Sequence, residues 1–225
     1  MNSFSWDGET KRQWNENAEN WHSNSKEMWM HGSRKDIMPF FNKYIPPGLI
    51  ADLGCGDGYG SLLLSQNGYE VIGMDISDKM IAIAKNLENE RLTFMQGNLL
   101  NTPFEDSQFN GVMAINSLEW TEKPLIALNE INRIIVKGGY GCFGILGPTA
   151  MPRVNSFPRL EGKNAICNTI MPWEFEKLAL KHGWEKIAES KVYKKGVSTQ
   201  HTDGLSNELK QALSFMTLFI LKKVN

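Results

Sequence analysis

The 225 residues hold only three cysteines, Cys55, Cys142 and Cys167, and no Cys-x-x-Cys pair. That excludes a disulfide framework and a zinc cluster of paired thiolates. Net charge is nearly absent, -1 at neutral pH with a pI near 6.4, so no nucleic acid and no anionic membrane surface is expected as a partner. The longest apolar run, Phe215 to Leu221, falls far short of the roughly 20 residues needed to cross a bilayer. The chain opens on polar residues rather than a basic and then apolar leader, which makes a cytoplasmic location the expectation. A P-loop is missing too: Gly162-Lys163 is the only Gly-Lys, without the upstream glycine or the following hydroxyl residue. No His, Cys and Asp constellation stands at ligand spacing, so no metal is expected.

What is present is concentrated in Ile50-Ala51-Asp52-Leu53-Gly54-Cys55-Gly56-Asp57-Gly58-Tyr59-Gly60. A buried strand ending in Asp52 meets four alternating glycines and then Leu62, Leu63 and Leu64, the opening of a helix. Glycine suits a turn with left-handed dihedrals in which backbone N–H groups approach a ligand, and the helix start favours an anionic group. The dinucleotide spacing Gly-x-Gly-x-x-Gly is not met, because Tyr59 and Ser61 occupy the positions where its third glycine belongs. Val71 to Asp75 reads as a second buried strand, and Asp75 stands about 20 residues after the loop, where a carboxylate accepts the hydroxyls of a ribose.

Strands and helices then alternate. Met80, Ile83, Ala84 and Leu87 mark one helical face, Leu92 to Gln96 a third strand, and Val112 to Ile115 a fourth ending at Asn116. Pro124 opens a helix with Leu125, Leu128, Ile131, Asn132 and Ile135 on one side. Gly138-Gly139 is expected to stop it before a fifth strand, Cys142 to Leu146. Helix 173–182 and strands 184–193 and 215–222 follow. This rhythm predicts an α/β fold, a mostly parallel sheet covered on both faces. Residues 1–47 form a polar, tryptophan-rich preface expected to cap the main domain, 48–225. Trp14, Trp21 and Trp29 would share a helical face there and staple the preface to the core or cover a pocket. Arg34, before the first strand, is expected to be solvated, and residues 147–171 to form an irregular lid.

The acidic-x-Gly-x-Gly-x-Gly spacing from Asp52 through Gly58 resembles motif I of the class I S-adenosylmethionine (SAM)-dependent methyltransferases. Gly97-Asn98-Leu99, Pro103 to Asn110 and Arg133 to Gly139 resemble further motifs of the small-molecule branch that includes the ubiquinone and menaquinone enzymes. The resemblance implies a doubly wound, seven-stranded Rossmann-like sheet with an antiparallel edge strand. It implies SAM as cofactor, touched by Asp52, Gly54, Cys55, Gly56, Gly58, Asp75, Ile76, Asn98, Leu99 and Asn116. Contact to the SAM carboxylate is then the alternative to solvation for Arg34. The family's acid that reads the adenine amino group aligns with Asn98, which keeps an acceptor oxygen and loses the charge.

The implied reaction moves a methyl group to a small-molecule acceptor by in-line displacement. Asn116-Ser117-Leu118-Glu119 is not the Asn/Asp-Pro-Pro-aromatic of enzymes that methylate base amino groups, and no Pro-Cys of cytosine C5 enzymes follows strand four. Candidates for a catalytic base are Glu119, His22 and His31. A non-catalytic SAM-binding module and an NAD-dependent oxidoreductase are the alternative readings.

Overall fold

The computed structural model describes residues 4–224; the first three residues of the preface and the last residue of the chain lie outside that span. Two helices precede the sheet, α1 (Trp6–Met30) and α2 (Ile37–Tyr44). The doubly wound core then runs β1 (Leu49–Leu53), α3 (Tyr59–Gln66), β2 (Glu70–Asp75), α4 (Asp78–Ala84), β3 (Leu92–Gln96), β4 (Phe109–Ile115), α5 (Pro124–Ile134) and β5 (Ile135–Leu146). A 3-10 helix (Met151–Glu161) lies within the 147–171 segment. After it come α6 (Pro172–Lys181), β6 (Trp184–Tyr193), the short α7 (Thr199–Thr202) and α8 (Asn207–Ala212), and β7 (Ser214–Lys223). None of the described helices is long and apolar enough to cross a membrane.

The seven strands take the order β3-β2-β1-β4-β5-β7-β6. Strands β1 to β5 are parallel, and β7 runs antiparallel between β5 and β6. Helices cover both faces, so strand residues are buried on alternate sides. Met216, Leu218 and Ile220 of β7 join the core under α2, α3 and α4, while Phe219 and Leu221 join the core under α5 and α6. That double burial is why residues 215–221 are apolar at every position but Thr217. Strand order reverses between β1 and β4, which opens a crevice at their C-terminal ends.

One boundary differs from the sequence reading. Helix α5 ends at Ile134 and β5 begins at Ile135, so Gly138-Gly139 lies inside a strand rather than stopping a helix. The pairing of β4 with β5 slips between Phe109↔Ile135 and Gly111↔Tyr140, and Gly138 takes φ 77° in the extra length. Glycine serves a bulge there. The 147–171 segment is tied down at both ends by Arg153, whose buried guanidinium donates to the carbonyls of Leu146, Gly147 and Ile170.

Gly58 marks where backbone requirement is strongest. Its φ is 81°, and a Cβ there would stand 2.6 Å from the Phe94 ring and 2.9 Å from the Ala84 methyl. Gly58→Ala combines left-handed strain of about 1–2 kcal/mol with overpacking of about 1–3 kcal/mol. We expect a clear drop in the urea midpoint of the ligand-free protein; an unchanged midpoint contradicts this account of the turn.

Candidate functional site

At the crevice, Asp52, one residue before the end of β1, has a buried carboxylate that accepts the Ser61 hydroxyl at 2.6 Å. Gly54, Gly56 and Gly58 follow with φ of 78°, 56° and 81°. The N–H groups of Gly54 and Cys55 both donate to the Met74 carbonyl, which folds the loop back over the end of β2. Helix α3 starts after Gly58 without a side-chain cap. Asp75, at the end of β2, accepts Gly56 N–H on one oxygen and Ser77 N–H on the other, both at 2.9 Å. Burial raises its pKa, against those two N–H bonds. The same carboxylate therefore shapes the loop and retains free lone pairs facing the cavity.

Helix α1 roofs this crevice. Ser5 caps it by accepting Gly8 N–H, and Glu9-Arg12-Glu16 ion pairs run along its exposed side. Trp14, Trp21 and Trp29 all face inward onto the cavity. Trp14 meets Trp21 and Trp120 edge-on, with ring centroids 5.5 and 5.2 Å apart. Polar latches hold the helix at several points. Trp6 Nε1 donates to the Trp120 carbonyl at 2.6 Å. Asn15 accepts the Ser77 hydroxyl and donates to Asp78. Ser25 donates to Asp57 at 2.8 Å, and His22 Nδ1 pairs with the other Asp57 oxygen.

Arg34 departs from the expectation of a solvated cation. It sits in the turn between α1 and α2, only 6% exposed, with its guanidinium over the rings of Trp21 (4.8 Å) and Trp29 (5.8 Å). Burial lowers its pKa to about 10, while Asp57, Asp52 and Glu119 oppose the fall, so it stays charged at neutral pH. Two indole faces and three carboxylates offset the lost hydration.

Of the residues singled out from sequence, Asp52, Gly54, Cys55, Gly56, Asp75, Ile76, Asn98, Leu99 and Asn116 line one cavity; Gly58 packs beneath it. The three candidate bases do not line it. Glu119 is fully buried behind the wall, with one oxygen on Leu146 N–H. His22 is tied to Asp57 on the outer side of α1, and His31 is exposed beside Glu27. Burial also pushes the Cys55 thiol well above its usual pKa, which leaves it a poor nucleophile. Among the described residues no three His, Cys, Asp or Glu side chains gather as a metal site. Sequence reading missed Asp7, Thr10, Met80, Ser117 and Thr121, none of which stands in a motif. Asp57 was missed as well, although it lies inside the glycine run.

Burial raises the pKa of Asp52 from 3.8 to about 7; Asp75 and Asp57 add to the rise, and Ser61 and Arg34 oppose it. Its folded pKa exceeds its unfolded one, so this group favours folding fully below about pH 4 and loses that contribution as pH rises through 7. Asp52→Asn removes the titration. The stability of the variant relative to the parent should therefore climb between pH 4 and 7, and a constant difference across that range refutes the assignment.

Residues 51–143 match the family described as "Methyltransferase domain". The demethylmenaquinone methyltransferase of Lactococcus lactis subsp. lactis is 38% identical over 97 residues, 40% of this chain and 38% of that protein. The 18S rRNA (guanine-N(7))-methyltransferase bud23 of Schizosaccharomyces pombe is 35% identical over 80 residues, 33% of this chain and 28% of that protein. The chain spans under half the length of the curated relatives it matches. In fold it is similar to the methyltransferase in complex with the Haloferax volcanii Trm112 methyltransferase activator. That likeness has a TM-score of 0.72 at 17% identity, covering 96% of this chain and 97% of that one.

Proposed function

We propose that the chain, whose residues 51–143 match a methyltransferase domain, is a class I SAM-dependent methyltransferase that transfers a methyl group from SAM to an apolar or planar small molecule. SAM, the donor used by that family, brings a methyl group already activated on a sulfonium. One observation carries the reading: a glycine loop and a ribose-type carboxylate meet at the sheet's switch point, inside a cavity walled by tryptophans. The residues present fit the donor. Asp75 is assigned the ribose diol, the backbone of Gly54 to Gly56 the amino-acid portion, and Arg34 the carboxylate. The Ser117 hydroxyl, buried on the cavity wall and without a partner, suits a polar ligand atom.

Trp14, Trp120 and Thr121 form the wall proposed for the acceptor. No histidine, lysine or glutamate lines the cavity among the described residues. Its carboxylates are already engaged, Asp7 by Asn98, Asp52 by Ser61, Asp57 by Ser25 and Asp75 by the Gly56 and Ser77 N–H groups. The catalysis proposed is by orientation and exclusion of water, where orientation alone supplies roughly 7–11 kcal/mol of barrier lowering. Titration calorimetry should show micromolar affinity for SAM and S-adenosylhomocysteine and none for NAD. Saturable NAD binding without a response to SAM sinks the reading. SAM binding with no S-adenosylhomocysteine formed against a metabolite panel reduces the protein to a SAM-binding module. Turnover on RNA alone replaces the small-molecule acceptor.

A further inference from the structure

The polar contact at the base end of the cavity is not the one that motif alignment suggests. Asn98 accepts Leu100 N–H on its side-chain oxygen at 2.9 Å and donates its amide nitrogen to Asp7 at 2.7 Å. The amide orientation is set by these two partners: turned over, it would place nitrogen against an N–H and oxygen against a carboxylate. Asn98 thus presents donors, not an acceptor, toward this corner. The acceptor there is the carboxylate of Asp7, delivered from the first turn of α1 across 91 residues of chain, and Asp7 itself lines the cavity.

We propose that Asp7 and Asn98 together read the adenine edge of the donor, with Asp7 accepting the exocyclic amino group and Asn98 donating to the neighbouring ring nitrogen. The proposal rests on the SAM reading above. Ile76, Met80 and Leu99 line the same cavity as Asp7 and Asn98 and are apolar groups suited to a flat purine. Asp7 has lone pairs beyond the one taken by Asn98, and Asn98 has a second amide hydrogen. Adenine offers a donor beside an acceptor, which the pair matches. A 6-oxopurine offers the reverse, an oxygen facing the carboxylate and an N–H facing the amide. A half-buried polar pair of this kind disfavours such a mismatch, which leaves its donor and acceptor unpaired. The negative charge absent from position 98 is in this way restored from a helix that precedes the sheet.

The test compares the affinity of the full chain for S-adenosylhomocysteine and for S-inosylhomocysteine by calorimetry, so no methyl acceptor is needed. The parent should prefer the adenosyl ligand by about ten- to a hundredfold. Asp7→Ala should collapse that preference, while Glu9→Gln, at the neighbouring acidic residue bound to Arg12, should keep it. Asn98→Asp alone sets two carboxylates side by side and should weaken binding. The exchange Asp7→Asn with Asn98→Asp puts a donor where Asp7 accepted and an acceptor where Asn98 donated, and should turn the preference toward the inosyl ligand. A parent without preference, or an Asp7→Ala variant that keeps it, overturns the proposal. If Asp7→Ala does not fold, the exchange variant decides: an unchanged adenosyl preference there overturns it. A parent that binds neither ligand fails the SAM reading itself.

Discussion

Asp75→Ala should lower affinity for SAM about ten- to a hundredfold and also destabilise the protein without ligand. The first effect follows from the ribose assignment: hydrogen bonds to a charged acceptor contribute about 1.5–3 kcal/mol each. The second follows from the Gly56 and Ser77 N–H groups, which lose their acceptor together. Orphaned buried donors cost about 1–3 kcal/mol each. Asp75→Asn separates the two effects, because the amide retains one acceptor oxygen and exposes a donor. It should recover part of the stability and little of the affinity. Calorimetry for SAM and urea denaturation of the ligand-free variants check both. Unaltered affinity in a folded Asp75→Ala protein assigns the ribose to another residue.

Removing residues 2–24 should weaken binding of S-adenosylhomocysteine on the order of a hundredfold or more while the protein stays folded. The deletion takes away Asp7, Trp14 and Trp21, three walls of the cavity, together with the latches from Trp6 and Asn15. Loss of two enclosed aromatic anchors alone is a change of at least about 2 kcal/mol each where such anchors dominate binding. Folding survives because neither core cluster draws on a residue before Trp29, which the truncated chain keeps. Circular dichroism and calorimetry read the two halves of this expectation. Undiminished affinity makes α1 a structural appendage and removes the lid role from it.

The glycine loop, Asp75 and the alternation of strands and helices were legible in the linear chain because their physical causes are local. A positive φ demands glycine at the position itself, and a strand buried on both faces must be apolar along its own length. Where two local patterns overlap, the chain is ambiguous. Ile131, Ile134 and Ile135 satisfy helical spacing, yet Ile135 pairs with Phe109, and that contact ends α5. Residues assembled from remote parts of the chain had no linear signal at all. Asp7 reaches Asn98, Arg34 reaches Asn116, and Trp6 reaches Trp120, across 91, 82 and 114 residues. Read locally, Arg34 belongs in solvent, and position after strand four or within the aromatic preface makes Glu119, His22 and His31 candidate bases. Tertiary packing buries Arg34 on the cavity wall and sets the three candidates off it, because burial, facing aromatic rings and the sign of neighbouring charges are properties of the assembled cavity and of no single stretch of sequence.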